Sequence, residues 1–388
     1  MNDLSPVSTM QASDPARPTR VLLAATSYPA DDADWKGLFI RRMLEGLDRS
    51  PKLALQAWCP PGPLPAGVGS ALLGDDDAWL AALAERGGIA HLLRRQPLRG
   101  VLAGLSLVRR LRRALRASDA ELFHINWLQN ALALPDDGRP ALVTALGTDM
   151  QLLRVPGVVA MLRRRFARRQ VVLCPNADWM VPVLEAAFGD VARVHCIAFG
   201  IDRAWYEAAR TPLEPPRWLC VSRITAVKLG PLFDWAAPLF AGGNRELHLI
   251  GPRQESDLVI PDWVHFHGPA TPEQLCTQWF PQATGLLSLS THPEGRPQVM
   301  VEAMAAGLPI LASRLPAHED LITQGGTGWI CDDAAGLVDG IRWIEDMQHN
   351  HDIGTHARRT ALARFGDWDD CAGRYALQYE RLLQDRLQ

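Results

Sequence analysis

Residues 20–26, RVLLAAT, form a short apolar run that stops in polar residues, the pattern of a strand buried on both faces of a parallel sheet. The next two dozen residues decide the class of fold. Residues 28–36, YPADDADWK, have the polarity of a loop, and from Gly37 onward Phe39, Ile40, Met43, Leu44 and Leu47 recur at helical spacing. Strand, loop, helix opens a doubly wound α/β unit. The short strand signal returns at residues 53–58, 122–125, 141–144 and 171–174, with helical stretches between most of these runs.

The alternation breaks near Phe199. Residues 199–217, FGIDRAWYEAARTPLEPPR, hold three prolines and few apolar residues. A second alternation then starts, with strands expected at 218–221, 246–250, 265–267, 283–289 and 309–312. A chain of 388 residues exceeds what one core usually fills, and 47% hydrophobic against 21% charged residues describes a folded globular protein. The expectation is two Rossmann-like α/β domains: a disordered tail over 1–19, a first domain over 20–205, a second over 206–366, and a terminal segment over 367–388. The apolar spacing of Ala372, Tyr375, Ala376, Tyr379, Leu382 and Leu383 makes that segment a helix, expected to return to the first domain.

Several classes are excluded by what the chain lacks. Its seven cysteines are scattered, with no C-x-x-C pair and no His-Cys grouping at zinc spacing, so a reducing compartment and no metal are expected. Residues 1–19 carry neither a basic n-region nor an apolar h-region, and no run reaches the roughly 18 apolar residues of a spanning helix. A cytoplasmic protein, in solution or peripheral on the inner face of the membrane, is the expectation. The first strand is not followed by G-x-G-x-x-G, no G-x4-G-K-[ST] occurs, and no G-x-S-x-G argues for a hydrolase.

The stretch with the most chemistry is residues 290–313, STHPEGRPQVMVEAMAAGLPILAS. Glu294 falls in a loop after a strand, Pro297 suits the first helical position, and Glu302 lies in the helix that Gly307 ends. Main-chain amides near Gln298 and Val299, at a helix N-terminus, make an anion site suited to a diphosphate. Glu302, just over a turn later, can accept two hydrogen bonds from vicinal hydroxyls. Solvated glutamates on a surface helix share that spacing. Upstream, in CVSRITAVKLG, residues 220–230, Arg223 and Lys228 lie five apart in a strand-to-helix loop that can aim both at one point.

Together these segments resemble the donor site of the family 4 (group 1) retaining glycosyltransferases, which have the GT-B fold of two Rossmann-like domains facing a cleft. The match includes E-x7-E, the Glu-Ala-Met-Ala that follows, Gly-x-Pro, and Arg-x4-Lys at a comparable separation. The resemblance implies a metal-independent transferase with no cofactor and a nucleotide-diphosphate sugar as co-substrate. It assigns Glu294 to the transferred sugar, Glu302 to the ribose, and Arg223 and Lys228 to the diphosphate. Gly37 resembles the family glycine beside the donor phosphate, Gly251 ends a strand at the ligand-binding edge of the sheet, and the backbone near Ala270 is the implied contact for the base. Residues 142–150, LVTALGTDM, resemble the family's His-Gly-x-Asp loop, with Leu146 in the place of the histidine.

On the acceptor side, residues 123–129, FHINWLQ, end a strand expected to face the cleft, which makes His124, Asn126 and Trp127 candidates, joined by Asp149. The implied acceptor is a hydroxyl of a glycan or lipid-linked glycan. A nucleotide-sugar 2-epimerase, taking acid-base residues such as His124 or Asp149 from the first domain, has the same fold. So does a non-catalytic protein that binds a sugar nucleotide or a partner. Charge is divided unevenly: residues 1–200 carry 24 Lys+Arg and 19 Asp+Glu, whereas 201–388 carry 16 and 24. Eight arginines and no acidic residue lie between Arg94 and Arg116, interleaved with leucines and valines, and a second cluster spans Arg163, Arg164, Arg165, Arg168 and Arg169. A basic amphipathic segment of this kind suits an anionic membrane surface. Nucleic acid is not expected, since the segments lack interleaved aromatics and the chain carries a net charge of −3.

Overall fold

The computed structural model describes residues 17–384 apart from 32, 33 and 35, and the side chains of Ala90 and Arg94 are also outside the description. Most of the tail expected over 1–19 therefore lies outside the described residues. Two parallel sheets organise the chain. The first contains β1 (Thr19–Ala24), β2 (Leu53–Trp58), β3 (Gly69–Ser70), β4 (Leu122–Asn126), β5 (Ala141–Ala145), β6 (Val171–Pro175) and β7 (Arg193–Val194), in the order β3-β2-β1-β4-β5-β6-β7. The second contains β8 (Arg217–Val221), β9 (Glu246–Ile250), β10 (Val264–Phe266), β11 (Gly285–Ser288), β12 (Ile310–Ser313) and β13 (Trp329–Cys331), in the order β10-β9-β8-β11-β12-β13.

Both sheets run outward from their first strand and then reverse, the Rossmann order, and each has its switch point beside that first strand. Parallel strands need both faces covered, and β1 shows how the sequence provides this. Leu22 and Ala24 point into one core with Trp58 and Phe123, while Val21 and Leu23 point into another with Ile40 and Leu44. The second core is where the C-terminal helix Trp368–Gln384 docks, inserting Trp368, Tyr375, Tyr379 and Leu382 against the helix Leu38–Asp48 and the first sheet. The fold is two Rossmann-like domains with the C-terminal helix packed back on the first. Sequence reading assigned no strand at β13 or at the two-residue edges β3 and β7, which are too short to show alternation.

Candidate functional site

At the β8/β11 switch point, β8 runs into the loop bearing Arg223 and Lys228, and β11 runs into the loop bearing Glu294. The helix Gln298–Ala306 begins directly beyond. Pro297 occupies its N-cap in an extended conformation, one place earlier than expected, and no side chain caps the helix. These elements wall a cavity of about 490 Å³. Every donor-side residue expected from the sequence, Gly37, Arg223, Lys228, Gly251, Ala270, Glu294, Gln298, Val299 and Glu302, lines it.

The electrostatics are those of an anion receptor. Lys228 Nζ is ion-paired with Glu294 Oε1, and Ser290 Oγ lies 3.5 Å from the same oxygen. Burial lowers the Lys228 pKa, and Glu294 pulls in the opposite direction. Arg223 lines the cavity, and among the described residues no hydrogen bond or ion pair engages its side chain. Glu302 likewise has no such partner. Burial pushes its carboxyl up to about 8, and neighbouring Asp202 adds to the rise. A half-buried acid left unpartnered is costly in a folded protein, and two polyol hydroxyls would relieve that cost.

The opposite wall comes from the first domain and the C-terminal helix. Phe39 stacks on Phe199 at 5.1 Å, Phe199 meets Trp368 at 5.8 Å, and all three line the cavity with Leu146, Asn176 and an Arg42–Asp202 ion pair of 3.1 Å. The resemblance assigned Gly37 to the donor phosphate. In the structure its glycine identity has a local cause: φ is +71°, and a Cβ would sit 2.7 Å from the Ser27 carbonyl carbon and the Tyr28 nitrogen. The loop carrying Leu146 closes onto the Glu294 loop. A Cβ on Gly147, at φ +96°, would lie 2.0 Å from Gly295 N. Trp179 Nε1 donates to Gly295 O at 2.7 Å, and Gln298 Nε2 to Gly200 O at 3.3 Å, so the two domains meet around the site.

The acceptor-side expectations need correction. His124 does not face the cleft: it is fully buried, with Nδ1 2.6 Å from Tyr379 Oη and Nε2 2.8 Å from Thr144 Oγ1, and burial drives its pKa down to about 3. The C-terminal helix covers the strand end that the sequence left open. Asn126 is also fully buried, donating to Ala24 O. The Asp149 carboxylate accepts from the Leu128 and Leu146 amides, at 3.0 and 2.9 Å, and so braces the loop. Trp127 stands one ring from the cavity, edge-on to Phe39 at 5.9 Å and held at φ 65°. Arg42, Asn176 and Asp202 were missed. They stand alone at element ends, and the carboxyl edge of the sheet was the only signal that pointed to them.

The arginine clusters are also less free than their density implied. Arg110 binds Asp75 and Asp76, Arg113 binds Asp76, and Arg112 donates to the Leu132 and Ala133 carbonyls. In the second cluster Arg163 pairs with Asp190, and Arg165 and Arg168 share Asp136. No helix of the described residues is long and apolar enough to cross a membrane.

Two Rossmann-like domains with an anion-receiving cavity between them describe a GT-B protein. Residues 215–346, within the second domain, match the family model described as glycosyl transferases group 1. Among curated proteins, the chain is 28% identical over 103 residues to the N-acetyl-alpha-D-glucosaminyl L-malate synthase of Bacillus anthracis, covering 26% of this chain and 27% of that protein. It is 32% identical over 152 residues to the GDP-mannose:cellobiosyl-diphosphopolyprenol alpha-mannosyltransferase of Xanthomonas campestris, covering 37% and 38%. The matches thus span well under half the length of these relatives. Among solved structures, sucrose-phosphate synthase from Thermosynechococcus elongatus superposes with a TM-score of 0.73 at 15% identity, over 95% of this chain and 100% of that one. Anabaena HepE in complex with UDP-glucose gives 0.63 at 17%, over 93% and 99%. These likenesses concern the fold.

Proposed function

We propose that this protein transfers a sugar from a nucleoside-diphosphate donor to a hydroxyl acceptor with retention of configuration. The observation that carries this reading is the convergence of Arg223, Lys228, an uncapped helix N-terminus and the unpartnered Glu302 on one cavity. The diphosphate lies against the helix amides, where the helix dipole and free N–H groups favour an anion. Glu302 accepts two ribose hydroxyls, the backbone at Ala270 meets the base, and Glu294 orients the sugar while paired with Lys228.

The acceptor hydroxyl attacks the anomeric carbon on the face from which the diphosphate departs. As the glycosidic C–O bond breaks, its electron pair goes to the phosphate oxygen, and that oxygen takes the acceptor proton. No protein nucleophile is required. The protein supplies position and charge, with Arg223 and Lys228 neutralising the anion that develops. The 2-epimerase alternative loses its acid-base candidates, because His124 and Asp149 are both buried away from the cavity.

The acceptor we propose is a glycan or lipid-linked glycan at an anionic membrane surface. Along the helix Pro97–Ala117, Leu98, Val101, Leu102 and Leu105 form an outward stripe at helical spacing, 82%, 53%, 66% and 50% exposed. Arg95, Arg99, Arg109 and Arg116 are exposed around it. This arrangement suits insertion of the stripe among headgroups with arginines at the phosphates.

The deciding experiment for the donor site is calorimetry with a panel of nucleoside diphosphates and their sugars. Removing a carboxylate that holds two hydroxyls should cost about 1.5–3 kcal/mol per charged hydrogen bond. Glu302→Ala is expected to bind donor at least tenfold more weakly than the parent, and unchanged affinity would remove the assignment.

A further inference from the structure

The outer edge of the second sheet gathers a group of side chains that glycosyl transfer does not use. Glu246 and His248 alternate on β9, so they share a face. The parallel register places His265 of β10 opposite His248, on that same face. His248 is 6% exposed, Glu246 is half-buried, and His265 is open to solvent. One ligand-capable atom from each lies within 4.8 Å of the others. The rings of His248 and His265 stack at 5.0 Å.

We propose that Glu246, His248 and His265 form a binding site for a borderline divalent cation of the zinc type, remote from the sugar-nucleotide cavity. Two imidazoles and a carboxylate are the ligand set of an open, three-ligand zinc site, with a fourth position left to water. Tetrahedral bonds of 2.0–2.2 Å separate ligand atoms by about 3.3–3.6 Å, so atoms at the 4.8 Å limit have to close by about 1.2–1.5 Å. Rotation of the exposed His265 ring supplies this movement.

A second, independent observation is the outer shell. His248 Nε2 lies 2.9 Å from Glu246 Oε2, while its Nδ1 lies 2.9 Å from His267 Nε2. A cation on Nε2 takes the place of that ring proton, and Nδ1–H then donates to His267. Arg217 Nε donates to Glu246 Oε2 at 3.2 Å, and Oε1 has no hydrogen bond among the described residues. Ligating histidines and carboxylates characteristically have outer partners of this kind, which orient them. Occupancy would fasten β10 to β9. It would also steady the segment after β10, whose Gly268 O accepts from Gly251 N at 2.7 Å and which continues into Ala270.

The test is titration of the metal-stripped full chain with ZnCl2 by calorimetry, and with Co2+ by visible absorption. The expected result is one equivalent taken up with the absorption of a four-coordinate Co2+ centre. His265→Ala should bind Zn2+ at least tenfold more weakly, and His267→Ala about 10–100-fold more weakly with unchanged stoichiometry. Both histidines are exposed, so these variants test the site even if His248→Ala does not fold. His349→Ala, outside the cluster, should bind as the parent does. Equal Zn2+ uptake by the parent and by Glu246→Gln/His265→Ala would overturn the proposal, as would uptake lost in His349→Ala.

Discussion

The two walls of the cavity are built from different chemistry. The second domain presents charge and main-chain amides: Arg223, Lys228, Glu294, Glu302 and the start of the helix Gln298–Ala306. The facing wall presents mostly hydrocarbon and rings, from Phe39, Leu146, Phe199 and Trp368, with one ion pair between Arg42 and Asp202. A diphosphate imposes the same demands wherever it is bound, so its receptor is compact in sequence. The ring wall is assembled from positions far apart in the chain, and no spacing records it.

The largest effect should come from the charged wall. Arg223→Ala and Lys228→Ala are each expected to lower kcat by about 10²–10³, the loss typical of removing one group that stabilises transition-state charge. Both act on one leaving group, so the double variant should lose less than the product of the two. Turnover followed as nucleoside-diphosphate release, beside thermal melts, separates this from damage to the fold. A fall in melting temperature that tracks the fall in kcat would reduce both residues to structural roles, and the contrast between the walls would fail.

A second comparison sets the two domains' outer surfaces against each other. The basic half of the chain carries the apolar stripe on the helix Pro97–Ala117, and the described residues of the acidic half show none at comparable helical spacing. Burying a leucine is worth about 1.5–3 kcal/mol, so Leu98→Ser with Leu102→Ser should weaken binding to anionic vesicles at least tenfold in co-sedimentation. Arg110 and Arg113 are tied to Asp75 and Asp76, and neutralising them should lower stability more than vesicle binding. Equal binding by the serine variant and the parent would show that the stripe does not insert among the headgroups.

Much of this molecule was legible in sequence, for reasons visible in particular residues. Parallel strands buried on both faces read as apolar runs, so residues 53–58 and 246–250 coincide with β2 and β9. His124 was misread because the signal that places a residue at a strand end says nothing of what covers it. The cover is Tyr375 and Tyr379, about 250 residues later in the chain. Likewise the arginine runs showed their charge, but their partners, Asp75, Asp76, Asp136 and Asp190, come from other segments.

Within the charged wall, Glu302 offers a pH test. Its folded pKa, about 8, stands above the ordinary carboxyl value of 4.5 because burial and Asp202 disfavour the anion. Between those values the unfolded chain gives up the proton while the folded chain keeps it, so this group lowers stability progressively as pH rises from about 4.5 to about 8. Glu302→Gln should therefore melt like the parent near pH 4 and above it near pH 8. Donor affinity of the parent should climb through pH 8 as the acceptor carboxylate forms, and that of Glu302→Gln should stay flat. Matching pH profiles in the two proteins would contradict this assignment.

The smallest expected effect on chemistry is at His124, and it bears on the ring wall. His124→Asn leaves Tyr379 Oη and Thr144 Oγ1 in a fully buried setting with one ring fewer between them. An unsatisfied buried polar group costs about 1–3 kcal/mol, and the lost ring adds a cavity, so melting temperature should fall by several degrees. The kinetic constants should stay within about twofold, because the residue touches neither the cavity nor a group that lines it through a hydrogen bond. Phe39→Ala, by contrast, removes a ring in direct contact with Phe199 and Trp127 at the cavity wall, and should raise the acceptor KM with little change in donor affinity. A tenfold kcat loss in His124→Asn at unchanged stability would restore this histidine to the acceptor side and show that the C-terminal helix opens during turnover.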